Sequence, residues 1–154
     1  MPQPYSHLKT LYTDVPIDGA LEPNEGWYEL KVRWLVTREL MGSETTVVGL
    51  SVFPPGAMHD LHRHPRAEEW EYVLAGNGIK RVGDVDVPIS AGEIVFTKRD
   101  VYHGVVNTSE DVMTTIWGYT GAGNLDEAGY IRPETDDDPH PAPGGAWPPT
   151  AKVN

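Results

Sequence analysis

Residues 56–76 read GAMHDLHRHPRAEEWEYVLAG. Within this stretch His62 and His64 stand two positions apart, so on an extended strand both imidazoles leave the same face. Glu69 opens a second run, EWEYVLA, that reads as the neighbouring strand. Two imidazoles and a carboxylate converging from adjacent strands make a metal site. The ligand types suit iron, manganese, nickel, zinc or copper.

The spacing Gly56-x5-His62-x-His64-x4-Glu69-x6-Gly76 resembles the first motif of the cupin superfamily. Further on, Gly92-x5-Lys98-x-Asp100-x2-His103-x3-Asn107 has the spacing of the second cupin motif, which supplies a fourth ligand, His103. Two positions depart from the pattern: cupins usually carry proline and glycine where this chain has Lys98 and Asp100. The resemblance implies an all-β fold, a small antiparallel jelly-roll barrel. It also implies His62, His64, Glu69 and His103 as metal ligands. Glu69 is preferred over Glu68 because its gap to Gly76 fits the motif, and Glu68 then reads as exposed. Such a set leaves two positions open on an octahedral ion, for water, a chelating substrate, or substrate beside dioxygen. Iron is the first expectation, with manganese, nickel or zinc fitting the same donors.

Composition agrees with that frame. The 154 residues suit one domain, and 16 glycines with 14 prolines imply many turns and few long helices. There is no cysteine, hence no disulfide framework and no thiolate. No long uncharged apolar run and no secretory pattern is visible, which makes a cytoplasmic protein the expectation. A formal charge of −11 argues against nucleic acid and anionic membranes as partners, since both need a basic face.

Along the chain the pattern is one of short strands. Residues 1–26 read as an irregular N-terminal arm and 27–120 as the barrel. Residues 121–154 form a C-terminal extension, acidic and then proline-rich. Trp27–Thr37 alternates as one strand, with Tyr28, Leu30, Val32, Trp34 and Val36 on one face. Thr45–Phe53 is the next strand, stopped by Pro54-Pro55-Gly56. Gly76-Asn77-Gly78 signals a hairpin into Ile79–Val82, and Gly83-Asp84 a turn before Val85–Val87. Glu93–Thr97, Val101–Asn107 and Asp111–Tyr119 complete the series. The extension holds at most one helical turn, around Asn124–Gly129. Its remainder reads as a loosely packed tail, with docking of Trp147 on a barrel or a neighbouring subunit as the alternative.

Beyond the ligands, Glu71 stands out. Alternation sends it inward with Glu69 and Val73. A carboxylate there must be paired, protonated or used, because burying it alone costs several kcal/mol. It is the candidate catalytic acid/base; the structural alternatives are an inward salt bridge to an arginine such as Arg33 or Arg81, or a local bulge that turns it outward. His59, at odd separation from His62, belongs on the opposite face, and His7 and His140 receive no role. Asn107 either faces the cavity or braces its loop. Lys98 and Arg99 either meet an anionic substrate at the mouth or stay solvated. Met58, Phe96, Tyr102 and Trp117 are candidates for the apolar wall.

These residues support an enzyme acting on a small organic molecule. An Fe(II) dioxygenase acting on an enol, diketone or phenol is the first expectation, chosen because that activity is common among cupins. A redox-neutral lyase, isomerase or decarboxylase with Glu71 as acid/base is the second, and a non-catalytic small-molecule or sugar-binding module the third. A homodimer is expected, since single-domain cupins commonly pair sheet to sheet and the N-terminal arm has the length to reach a partner.

Overall fold

The burial of Thr46–Phe53 alternates residue by residue, and that of Glu68–Leu74 does the same. This period of two fixes one wet and one dry face on each strand. A computed structural model describes residues 8–138 and 145–149 of the chain. Among them run β1 (Trp27–Tyr28), β2 (Lys31–Val36), β3 (Thr46–Phe53), β4 (Met58–His62) and β5 (Glu68–Ala75). Then follow β6 (Asn77–Val82), β7 (Val85–Ser90), β8 (Ile94–Thr97), β9 (His103–Val106) and β10 (Met113–Thr120). They form two five-stranded antiparallel sheets, β1-β4-β9-β6-β7 and β2-β3-β10-β5-β8, packed face to face as a jelly-roll barrel.

This topology revises three expectations. Trp27–Thr37 is two strands in different sheets, because Glu29 takes φ 60° and turns the chain between them. The glycines around Asn77 make no hairpin: β5 and β6 lie in opposite sheets, and Gly76 at φ 79° marks the crossover. β4 and β5 likewise face each other across the barrel and are not neighbours within a sheet. The hairpin that does form joins β6 to β7 through Gly83-Asp84, as its turn chemistry requires.

The core divides into two clusters. Phe53, Ala57, Val73, Ile89, Val105 and Met113 fill one. Trp27, Val32, Val47, Ala67, Trp117, Tyr119, Ala122 and Ala128 fill the other. The Trp117 indole lies against Gly49, its cross-strand partner, so closely that a Cβ there would sit 2.1 Å from the ring. Its Nε1–H donates to Ser51 Oγ at 2.8 Å.

Both extensions pack on the barrel where they are described. In the arm, residues 8–26 hold two short 3-10 turns and no strand. The arm is held by the indole of Trp34 donating to Asp18 Oδ2 and by Arg33 donating to Val15 O. The helical turn expected near Asn124–Gly129 is α2 (Leu125–Ala128), capped by Asn124, whose Oδ1 accepts from Glu127 N at 2.8 Å. α1 (Arg38–Met41) is the other helical turn. The extension is not loose over these residues. Ile131 bridges Arg63, and Trp147 lies over Gly104 beside the Arg81 guanidinium. No helix among the described residues is long and apolar enough to cross a membrane.

Candidate metal centre

His62 ends β4 and faces His103, which begins β9 on the neighbouring strand. His64 follows two residues later, beyond the strand. Glu69 reaches in from β5 in the opposite sheet. All four residues are buried, and one ligand atom from each lies within 4.8 Å of the others. The sequence motif thus becomes a single cluster.

The hydrogen bonds fix which ring nitrogen faces the cluster. The Nδ1 of His62 lies 2.7 Å from Asp60 O, that of His64 2.6 Å from Gly129 O, and that of His103 2.9 Å from Val101 O. A carbonyl only accepts, so each Nδ1 carries a proton and each Nε2, the atom that holds the lone pair in the neutral ring, is turned toward the cluster. The Nε2 atoms of His62 and His64 are buried with no hydrogen-bond partner. His103 Nε2 meets Glu69 Oε2, and His64 Nε2 stands 3.4 Å from the same oxygen. Three imidazole nitrogens and a carboxylate oxygen gathered at one point, two of the nitrogens without a hydrogen-bond partner, are a donor set that suits a cation. Backbone acceptors behind each imidazole supply the orientation such sites require.

Electrostatics favour the ligating states. Burial above all, then the other imidazoles, pushes His62 well below the ordinary histidine range, and burial likewise lowers His103. For Glu69 burial works upward, but Lys80 and then His103 outweigh it, and the carboxyl is held well below the usual range. Lys80 is 1% exposed. Burial opposes its charge, yet Glu69 and Glu71 raise its pKa above the ordinary lysine value. Its Nζ donates to Glu69 Oε1 at 3.3 Å and to Glu71 Oε1 at 2.8 Å. Glu69 is thereby divided, one oxygen toward lysine and the other toward the imidazoles. Neutral imidazoles with a carboxylate suit a divalent transition ion.

Glu71 is inward and 3% exposed, as alternation predicts. Its partners differ from those expected: Lys80 and the hydroxyl of Thr115, which donates to Oε2 at 2.8 Å. Arg33 instead holds the arm, and Arg81 binds Asp86 and the carbonyl of Ala146. His59 is also corrected. The β4–β9 register shifts between His59 and His62, so the bulge brings both to one side. The His59 ring stacks 3.9 Å from His62 and 3.7 Å from Trp27.

Asn107 braces its loop, donating from Nδ2 to Phe53 O and Asp111 O. Lys98 and Arg99 are exposed, and Glu68 is half-buried where exposure was expected. Of the proposed apolar wall only Trp117 lines the cavity. Phe96 is 53% exposed on the outer face, and Tyr102 donates to Asp136. His7 and His140 lie outside the described residues.

Asp100 occupies the turn position that the motif gives to glycine. It takes the left-handed φ of 68°, which aspartate tolerates better than most residues, and pairs with Arg63. Arg63 also grips Asp136 of the extension at 2.6 Å. Burial and Asp136 together push the Tyr102 hydroxyl up to about 12.

Sequence reasoning missed Lys80, Tyr119, Trp27 and Tyr130. The first three line the cavity. The Tyr130 ring stacks 4.9 Å from His62, and its hydroxyl bonds His59 Nε2 and Glu25 O. Lys80 lies in a strand buried on both faces, so alternation alone could not assign it a side. The cavity leaves about 10 Å³ for the centre of a water-sized sphere, room for one water. Trp27 is shared with an outer groove between the arm and the extension, where Tyr130 and Arg132 also lie.

Residues 49–119 match the cupin domain family. An oxalate-binding protein of Thermotoga maritima is 32% identical over 80 residues, covering 52% of this chain and 66% of that protein, just under two thirds of its length. The dimethylsulfoniopropionate lyase DddW of Ruegeria pomeroyi is 31% identical over 93 residues, 60% of this chain and 59% of that one. Among solved structures, the polyketide cyclase RemF of Streptomyces resistomycificus superposes with TM-score 0.67 at 21% identity, covering 85% of this chain and 88% of that one. With two motifs converging on one buried cluster inside a jelly-roll barrel, and with these matches, residues 49–119 carry a cupin domain.

Proposed function

We propose that this protein is a metal-dependent enzyme for a redox-neutral conversion, a lyase or decarboxylase reaction, of a small carboxylate or carbonyl compound. His62, His64, Glu69 and His103 hold the ion, which when bound supplies Lewis-acid polarisation of a carboxylate or carbonyl. The observation that carries the reading is Glu71, a carboxylate set inside the cavity between Lys80 and Thr115 and one strand step from Glu69. Glu71 takes a proton from the bound molecule or returns one to it, and Lys80 stabilises its charge. The apolar wall of Trp27, Phe53 and Trp117 limits water around that transfer. The names of the relatives, an oxalate-binding protein and a sulfonium-compound lyase, support small carboxylates as the substrate class.

The Fe(II) dioxygenase expected from sequence would use the same four ligands, and one experiment separates the two. Protein loaded with Zn(II), Mn(II) or Fe(II) is incubated under nitrogen with oxalate, malonate, pyruvate and dimethylsulfoniopropionate, and products are followed by NMR. Turnover without oxygen is expected, with Glu71→Gln about a hundredfold slower or more at unchanged metal content. Turnover that requires oxygen, or a Glu71→Gln protein as fast as the parent, would overturn the reading.

A further inference from the structure

Tyr119 lies on β10 directly opposite Glu69 in the β5–β10 register, so the two side chains share the inner face. It is 2% exposed and lines the cavity, with its ring 4.5 Å from that of His64 and 5.3 Å from that of Trp117. Its hydroxyl opens on the cavity and is not one of the fully buried unpaired atoms, and among the described residues it has no hydrogen-bond partner. Buried tyrosine hydroxyls ordinarily find one. Tyr102 and Tyr130 nearby both do, on Asp136 and on Glu25 O. A tyrosine hydroxyl carries its proton at neutral pH. What the cavity presents here is therefore an O–H donor without an acceptor, beside a carboxylate already divided between Lys80 and the imidazoles.

We propose that the Tyr119 hydroxyl is a substrate-contacting donor, which hydrogen-bonds a carboxylate or carbonyl oxygen of a small molecule held against the His62–His64–Glu69–His103 cluster. The proposal deepens the function argued above and rests on that reading for the presence of a small oxyanion at the cluster. It makes Tyr119 a determinant of which molecules bind: those with an acceptor oxygen gain the bond, and those presenting a methyl group or a second donor leave the hydroxyl buried and unpaired.

Thr97 provides the control. It flanks Glu69 on the other side, from β8, is 1% exposed, and its Oγ1 also lacks a partner. It does not line the cavity.

The test is calorimetric titration of the Zn(II)-loaded full chain with oxalate and with pyruvate, on the parent, Tyr119→Phe and Thr97→Val proteins. Metal content and melting temperature are measured on each. Tyr119→Phe is expected to bind either ligand about tenfold more weakly or worse, with metal content and melting temperature unchanged and Thr97→Val like the parent. Equal affinity of Tyr119→Phe and parent overturns the proposal, and so does a parent that binds neither ligand. A lower melting temperature for Tyr119→Phe overturns it as well, because the hydroxyl would then have a structural partner. Weakened binding in Tyr119→Phe with no turnover of any substrate would sink the lyase reading and leave the role of Tyr119 standing.

Discussion

Replacing Lys80 by methionine removes the cation that holds two buried carboxylates together, and its cost can be worked from the contacts. Nζ makes a 2.8 Å bond to Glu71 and a 3.3 Å bond to Glu69, with the lysine 1%, Glu71 3% and Glu69 8% exposed. A hydrogen bond to a charged group contributes about 1.5–3 kcal/mol, and the longer of these two sits at the low end. Breaking one member out of a buried charge cluster costs about 3–5 kcal/mol. Both routes give about 3–4 kcal/mol for the metal-free protein, since methionine fills the volume but pairs with neither carboxylate. In a chain of this size that lowers the melting temperature by about 6–16 °C. Urea unfolding of Lys80→Met in EDTA measures the loss directly. Adding Glu71→Gln removes one of the two stranded charges, so the double variant should recover part of the loss, a coupling of about 1–2 kcal/mol. A loss below about 1 kcal/mol, or strictly additive variants, would refute the claim that Lys80 carries the charge of both carboxylates.

Other consequences follow from single contacts. Asp136 is held well below the usual carboxylate range by its hydrogen bond from Arg63 and then by that from Tyr102. A carboxylate lowered on folding stabilises above its unfolded value of about 3.9 and loses that contribution as pH falls through the folded value. Asp136→Asn should therefore be less stable at pH 7 and show a shallower further decline between pH 4 and pH 2, read by urea midpoints at each pH. Gly49→Ala drives a Cβ to 2.1 Å from the Trp117 ring, and should cost about 2–3 kcal/mol by overpacking, checked by thermal melting and near-UV circular dichroism. Gly104→Ala places a Cβ 2.9 Å from Trp147. It should free the Trp147 indole, seen as increased quenching of its fluorescence by acrylamide.

Much of this protein was legible in its sequence because its ligands are tied to strand spacing. The pair His62 and His64, with Glu69 and His103, converge as the motif implies, and Glu71 faces inward because the β5 alternation is unbroken. What failed was whatever depended on register between distant strands. His59 was placed outside because odd spacing was assumed through a bulge that only the β4–β9 pairing reveals. The assignment of β4 and β5 as neighbours failed because the chain crosses from one sheet to the other between them. Lys80 was invisible because β6 is dry on both faces: its inner side chain meets two carboxylates, and its outer Arg81 is covered by the extension around Trp147. The extension read as a tail by composition, yet Gly129 supplies the acceptor behind His64 and Tyr130 stacks on His62. Those contacts join residues more than sixty positions apart, and no local pattern announces them.

The central claim is that three Nε2 lone pairs and Glu69 Oε2 hold one metal ion. It is tested most directly by mass-spectrometric metal content of protein purified without oxygen, beside His62→Ala and His103→Ala. About one divalent transition ion per chain, absent from both variants while their fold by circular dichroism is kept, is the result expected. A parent protein that retains no metal and takes up none from Fe(II), Mn(II), Ni(II) or Zn(II), or variants that retain the parent's full content, would contradict it.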